Sequence, residues 1–172
     1  MTGSRAAMVT LPADTQILIR REFDAPRHLV YRVWTTPDLI KRWWSGNRGE
    51  TTSVEVDLRV GGRWRYVMVA HGGFEVAFHG EYLEIAPSER IVSTEVYEGA
   101  PEAEAVNTIT FDEQDGRTTL SILVQHASTE FRDMHINSGM EVGMQEGMDK
   151  LEQMYVIADA KAAGSGQQPA GS

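Results

Sequence analysis

The amino-acid sequence predicts an α+β fold: a curved seven-stranded antiparallel sheet wrapped around one long C-terminal helix, with two short helices after the first strand. Residues 51–125 divide into runs of period-two alternation separated by Gly, Pro, Asn and Asp signals, the pattern of antiparallel strands in meander order. Residues 129–162 change to three- and four-residue spacing, the pattern of an amphipathic helix. The apolar face of such a sheet and that of such a helix must be buried against each other.

The 172 residues, 41% of them apolar, suffice for one buried core. Residues 1–13 and 164–172 are small and polar without a period and are expected to be flexible tails around a single domain over 14–163. Ile17, Ile19 and Phe23 alternate with polar residues in a first strand. Asp24 then reads as an N-cap with Pro26 in the first turn of a helix over about 26–35, whose apolar residues are Leu29, Val30, Val33 and Trp34. Thr36-Pro37-Asp38 opens a second short helix that ends at Trp44 before Ser45-Gly46-Asn47.

Six strands follow. Val54–Leu58 and the run through Trp64, Tyr66 and Met68 form a hairpin about Gly61-Gly62, and His71-Gly72-Gly73 turns the chain into a strand over 75–85. Pro87-Ser88, Gly99-Ala100-Pro101 and Asp115-Gly116 separate the remaining strands, the last carrying Leu120, Ile122 and Val124 on one face. Gly80 inside a strand marks a bulge or bend.

The helix over 129–162 carries a methionine stripe, Met140, Met144 and Met148, interleaved with Gly143 and Gly147. Each glycine costs about 1 kcal/mol relative to alanine in a helix interior, so both need a reason: a deeper pocket, or close approach of Trp64 or Trp44. Methionine is flexible and polarizable and suits a wall that adapts to apolar ligands. A curved sheet cannot fill all the space against a straight helix, so an internal pocket is expected.

Composition narrows the function. The chain has no cysteine, which excludes disulfides, thiol nucleophiles and Cys-ligated zinc. No basic segment with a following apolar run of signal length opens the sequence and no stretch reaches the roughly 18 apolar residues of a membrane span, so a cytoplasmic protein without a membrane anchor is expected. The net charge of -9 opposes nucleic acid as a partner. It is uneven: residues 1–48 hold eight Lys/Arg and four Asp/Glu, the rest eight and twenty-one, which we read as solvated surfaces of different sign.

Phe23-Asp24-Ala25-Pro26, Val33-Trp34-Thr35-Thr36-Pro37, the run from Leu39 to Trp44, the Gly61-Gly62-Arg63-Trp64 hairpin and Gly80-Glu81-Tyr82-Leu83-Glu84-Ile85-Ala86-Pro87 with Glu89-Arg90-Ile91-Val92 are similar to the activator of heat-shock protein 90 ATPase homologue-like family. That family lies within the START-related, helix-grip superfamily (SRPBCC), and the resemblance spans about residues 15–160. It implies a helix-grip fold and a pocket for a hydrophobic or amphipathic small molecule. The eukaryotic co-chaperones of the family carry a further N-terminal domain that nothing in this chain resembles.

The ligand-binding residues expected from the inner face and the helix are Trp44, Trp64, Tyr66, Met68, Phe78, Asn107, Phe111, Met140, Met144 and Met148, with Asn107 and Tyr66 orienting the ligand. No catalytic residue, metal or cofactor is assigned. His126 and His135 could converge at the last strand-to-helix connection, but their spacing matches no metal motif, and His126 is expected to bond the backbone there. Glu81 and Glu95 are the strand carboxylates that would act as general acid or base if turned into the pocket, and a bulge at Gly80 leaves their facing open. The leading expectation is a non-catalytic carrier or sensor of a hydrophobic small molecule. A polyketide-like cyclase or dehydratase is the enzymatic alternative, and a protein-binding module using Trp43 and Trp44 is a third.

Overall fold

Among the described residues, alternating side chains and short turns give one sheet of eight strands, one more than expected. The computed structural model describes residues 6–155, 158 and 159. Its elements are β1 (Met8–Thr10), β2 (Gln16–Phe23), α1 (Arg27–Thr35), α2 (Pro37–Trp43), β3 (Gly49–Val56), β4 (Arg63–Ala70), β5 (Glu75–Ala86), β6 (Arg90–Tyr97), β7 (Ala105–Gln114), β8 (Arg117–His126), α3 (Thr129–Asn137) and α4 (Met140–Glu152). The sheet order is β1-β2-β8-β7-β6-β5-β4-β3, with every pairing antiparallel.

The extra strand departs from the expected flexible tail at residues 8–10, while residues 1–5 of that tail lie outside the described residues. Met8–Thr10 pairs with Leu18–Arg20 on the outer edge of β2, where alternation over three residues is too short to be read in the sequence. The expected tail at 164–172 lies outside the described residues.

The helices also depart from expectation. Pro26 rather than Asp24 is the N-cap of α1, and it caps through no side-chain bond. Thr36 stands at the N-cap of α2 as expected, with Pro37 in the first turn, yet its hydroxyl donates to the Arg32 carbonyl at 2.6 Å. The long helix is broken: Ser138 ends α3, and Gly139, at φ 84, starts α4. A left-handed residue interrupts the helical ladder, and glycine takes that conformation without a Cβ penalty. Ser128 caps α3 by accepting a bond from the Phe131 N–H at 3.1 Å.

The irregularity expected at Gly80 of strand β5 falls a little later in the strand. The β5–β6 ladder pairs His79 with Val96 and resumes at Tyr82 with Ser93, while the Glu81 N–H turns to the Thr94 hydroxyl. A Cβ at Gly80 would overlap the Thr94 carbonyl. The register shift itself falls later, between Tyr82 and Glu84.

The inner face has two unlike halves. Beneath α1, Phe23, Val30, Val33, Phe111 and Leu120 are fully buried, and Phe111 meets Tyr31 edge to face at 5.3 Å. Toward α3 and α4 the same face lines a cavity. Helix α4 is held from both sides: Gly147 lies against the carbonyls of Trp43 and Trp44, and the buried Arg21 guanidinium reaches Asp149 at 2.9 Å and Glu152 at 3.0 Å while lying over the Phe23 ring. Among the described residues no helix is long and apolar enough to cross a membrane.

Candidate functional site

Period-two alternation aims every second residue of β4 to β8 at the helices. Trp64, Tyr66 and Met68 of β4, Val76, Phe78 and Tyr82 of β5, Ser93, Glu95 and Tyr97 of β6, Ala105 and Asn107 of β7, and Val124 and His126 of β8 line a cavity of about 920 Å³. Trp44 after α2 and Met140, Met144 and Met148 of α4 close it from the other side. Phe74, Tyr97 and Met134 line it while remaining exposed, which places them at its rim. The volume is in the range of small-molecule sites.

Nine of the ten expected ligand residues converge here: Trp44, Trp64, Tyr66, Met68, Phe78, Asn107, Met140, Met144 and Met148. Phe111 does not. It lies on the inner face, but two residues beyond Ile109 it has passed under α1 and is part of the solid core. The aromatic wall is continuous. Trp64 and Tyr66 have ring centroids 4.8 Å apart, and Trp44 meets Tyr66 at 5.3 Å and Phe78 at 5.6 Å, both edge to face. Trp43 is buried under Trp34, 4.9 Å away, and donates its indole N–H to the Val33 carbonyl. Both tryptophans that motivated a protein-binding surface therefore turn inward.

The two glycines of α4 serve close approach. A Cβ at Gly143 would crowd the Arg48 guanidinium at 2.9 Å, and one at Gly147 would press on the Trp43 carbonyl at 3.1 Å. Arg48 also lines the cavity and donates to the Gly139 carbonyl, so it ties the α3–α4 break to the loop after α2. The partners of these glycines are thus Arg48 and the backbone of Trp43 and Trp44, rather than the Trp64 ring.

One end of the cavity is polar. Of the two strand carboxylates, Glu95 faces inward and Glu81 does not. Asn107 Nδ2 donates to Glu95 Oε1 at 3.0 Å. Glu95 is half-buried, and burial raises its pKa above the usual carboxylate value, against the opposing pull of the Asn107 bond and of His126. Burial likewise raises the Tyr66 hydroxyl well above its usual value and raises that of Tyr82, so neither brings a charge to the cavity.

The histidines converge as their position suggested, and they bond each other rather than the backbone. His126 Nε2 and His135 Nδ1 are 3.0 Å apart. Burial lowers the pKa of both, and for His126 the neighbouring His135 lowers it further while Glu95 raises it. No group of three or more His, Asp or Glu side chains suited to a metal ion occurs among the described residues. The inward turn of His126 was available from the sequence, because it continues the Leu120, Ile122, Val124 face by one more step of two.

Residues 24–155 match the sequence profile of the family described as Activator of Hsp90 ATPase homolog 1-like protein. This chain belongs to that family. Solved structures agree on the fold. A protein from Rhodobacter sphaeroides has a TM-score of 0.81 at 24% identity over 88% of this chain and 99% of its own. One from Nitrosomonas europaea has a TM-score of 0.78 at 24% identity, covering 87% and 99%. A third, from Chromobacterium violaceum, is 27% identical with a TM-score of 0.72, covering 82% and 97%. No curated protein matches the chain. Within this Activator of Hsp90 ATPase homolog 1-like chain, the profile thus reaches from the first helix through nearly all of the α4 wall, and includes the whole polar end of the cavity.

Proposed function

We propose that this protein binds an amphipathic small molecule in the cavity between the sheet and the α3–α4 pair. The observation that carries the reading is the division of one continuous wall into an apolar body of Trp44, Trp64, Tyr66, Phe78 and the methionines, and a polar end of Glu95, Asn107, His126 and His135. Apolar area supplies most of the affinity in such sites, and a few convergent polar groups fix orientation. The methionines allow the α4 side to adjust to ligands of different shape. The family's fold supports the reading, since it is known for ligand-binding cavities.

Native mass spectrometry of the purified protein, followed by titration of candidate amphiphiles against Met68→Trp and Ala105→Phe, tests this. Both substitutions place bulk inside the cavity. Folded variants that lose binding support the proposal, and undiminished binding in both refutes it.

A second reading has its own observation. Glu95 faces the cavity with a raised pKa, as a general acid or base must near neutral pH. In that reading Glu95 exchanges a proton with a bound substrate, and the Asn107 amide holds the carboxyl in place. Turnover of an aromatic or polyketide-like substrate that falls at least about 100-fold in Glu95→Gln while binding persists would favour it over simple binding.

A further inference from the structure

We propose that the ligand is a cationic amphiphile whose protonated nitrogen docks on Glu95 and whose apolar body lies along the aromatic wall; this rests on the cavity-binding reading above. The geometry leaves the carboxyl approachable past Ala105. Across the sheet, Glu95 of β6 pairs with Ala105 of β7, and Ala105 pairs with His126 of β8. On the other side, the register of β5 with β6 brings Gly80 level with Glu95, and Gly80 pairs with Trp64 of β4. Alanine leaves the β7 side of the carboxyl low, with His126 as the next wall, while on the β5 side the Trp64 indole Nε1 lies over Gly80.

At the carboxyl itself the hydrogen-bonding inventory favours a donor-rich partner, while the neighbouring Trp64 indole N–H is a buried donor without an acceptor among the described residues. Glu95 Oε1 accepts from Asn107, which leaves Glu95 Oε2 and the buried Asn107 Oδ1 as acceptors without a protein donor among the described residues. An ammonium brings three donors and no acceptor, whereas a carboxylate or phosphate head would bring only acceptors to this point. Beside it, Trp64, Tyr66, Trp44 and Phe78 present the aromatic surfaces that attract a cation.

The remaining charges around the cavity are compatible. Arg48 is turned to the Gly139 carbonyl at the helix break, and His71 is engaged with the Asn47 carbonyl at 2.8 Å. His126 and His135 are kept neutral by burial and mutual contact, Tyr66 and Tyr82 are neutral, and Glu146 adds a second acid to the lining. The net charge of -9 attracts cations from solution.

Calorimetric titration at pH 7 with dodecylammonium, dodecanol and dodecanoate, each below its aggregation concentration, tests the assignment. Dodecylammonium is expected to bind about tenfold or more tighter than dodecanol, and dodecanoate weakest. Glu95→Gln is expected to abolish that preference, weakening dodecylammonium at least about tenfold more than dodecanol. Ala105→Leu, which crowds the carboxyl, should weaken the ammonium more than the alcohol and serves if Glu95→Gln does not fold. Equal or tighter binding of dodecanoate, or an ammonium preference that survives the substitutions, overturns the cationic assignment alone. Failure of all three probes to bind overturns the cavity-binding reading as well.

Discussion

The two halves of the sheet's inner face are built on the same alternation and end in opposite states, one solid and one hollow. Under α1, Phe23, Phe111 and Leu120 meet Val30 and Val33 with almost no solvent contact. Under α3 and α4, the same strands carry Glu95, Ala105, Asn107 and His126 around open space. Small and polar side chains at matching registers, together with a helix broken at Gly139, keep the second half from collapsing into the first. Stability and binding are thereby placed in different parts of one face.

The strongest way to break this division is to cut the solid half. Phe111→Ala is expected to lower unfolding free energy by about 4 kcal/mol in denaturant titration, because it opens a cavity in close-packed surroundings. Met144→Ala in the hollow half should cost less than about 1 kcal/mol, since its side chain already borders open space. Similar losses at the two sites would erase the distinction.

Titration sharpens it further. Glu95 has a folded pKa above its unfolded one, so the folded state holds the extra proton between them, and wild type should lose stability relative to Glu95→Gln as pH rises from about 4.5 through that raised value. His135 has the opposite sign: its folded pKa lies below 6.5, so wild type should lose stability relative to His135→Gln as pH falls from about 6.5 through the lowered value. Melting temperatures across pH 4 to 8 read both, and parallel curves for wild type and the variants would count against a desolvated polar end.

The smallest effect belongs to the outer face. Just past the end of β6, Glu98 is bonded by Arg65 at 2.9 and 3.0 Å and by His79 at 2.8 Å, which hold its carboxyl down at about 2. Its contribution is present above about 4.5 and is lost as pH falls toward about 2. Because the cluster is partly exposed, Glu98→Gln should cost under about 1 kcal/mol at pH 7 and shrink with added salt. Two carboxyls three residues apart thus move in opposite directions, one inside and one outside the sheet.

Much of this was legible in the sequence and some was not, for physical reasons. Turn residues and alternation located β2 to β8 and put Trp64, Tyr66, Met68, Phe78 and Asn107 on the cavity wall, and helical spacing did the same for Trp44, Met140, Met144 and Met148. The break in the C-terminal helix was hidden because apolar spacing continues across Gly139 from Ile136 to Met140, while Gly143 and Gly147 drew attention as the unusual glycines. The facing of Glu95 was hidden because Val92 and Val96 make the outer side of β6 as apolar as the inner side, with Val96 itself buried. Phe111 was misplaced because period two gives the face of a sheet and not the position along it.

The sheet also stays open, and its two margins differ from the interior in a way that bears on solution behaviour. Among the described residues one margin is the three-residue strand Met8–Thr10, long enough to offer an incoming strand few ladder bonds. The other, β3, is offset between Thr51 and Ser53 and has α2 packed beside it. Short or irregular margins are poor templates for intermolecular strand addition. The described sheet therefore encloses a large apolar hollow while offering a neighbouring chain few regular edge positions.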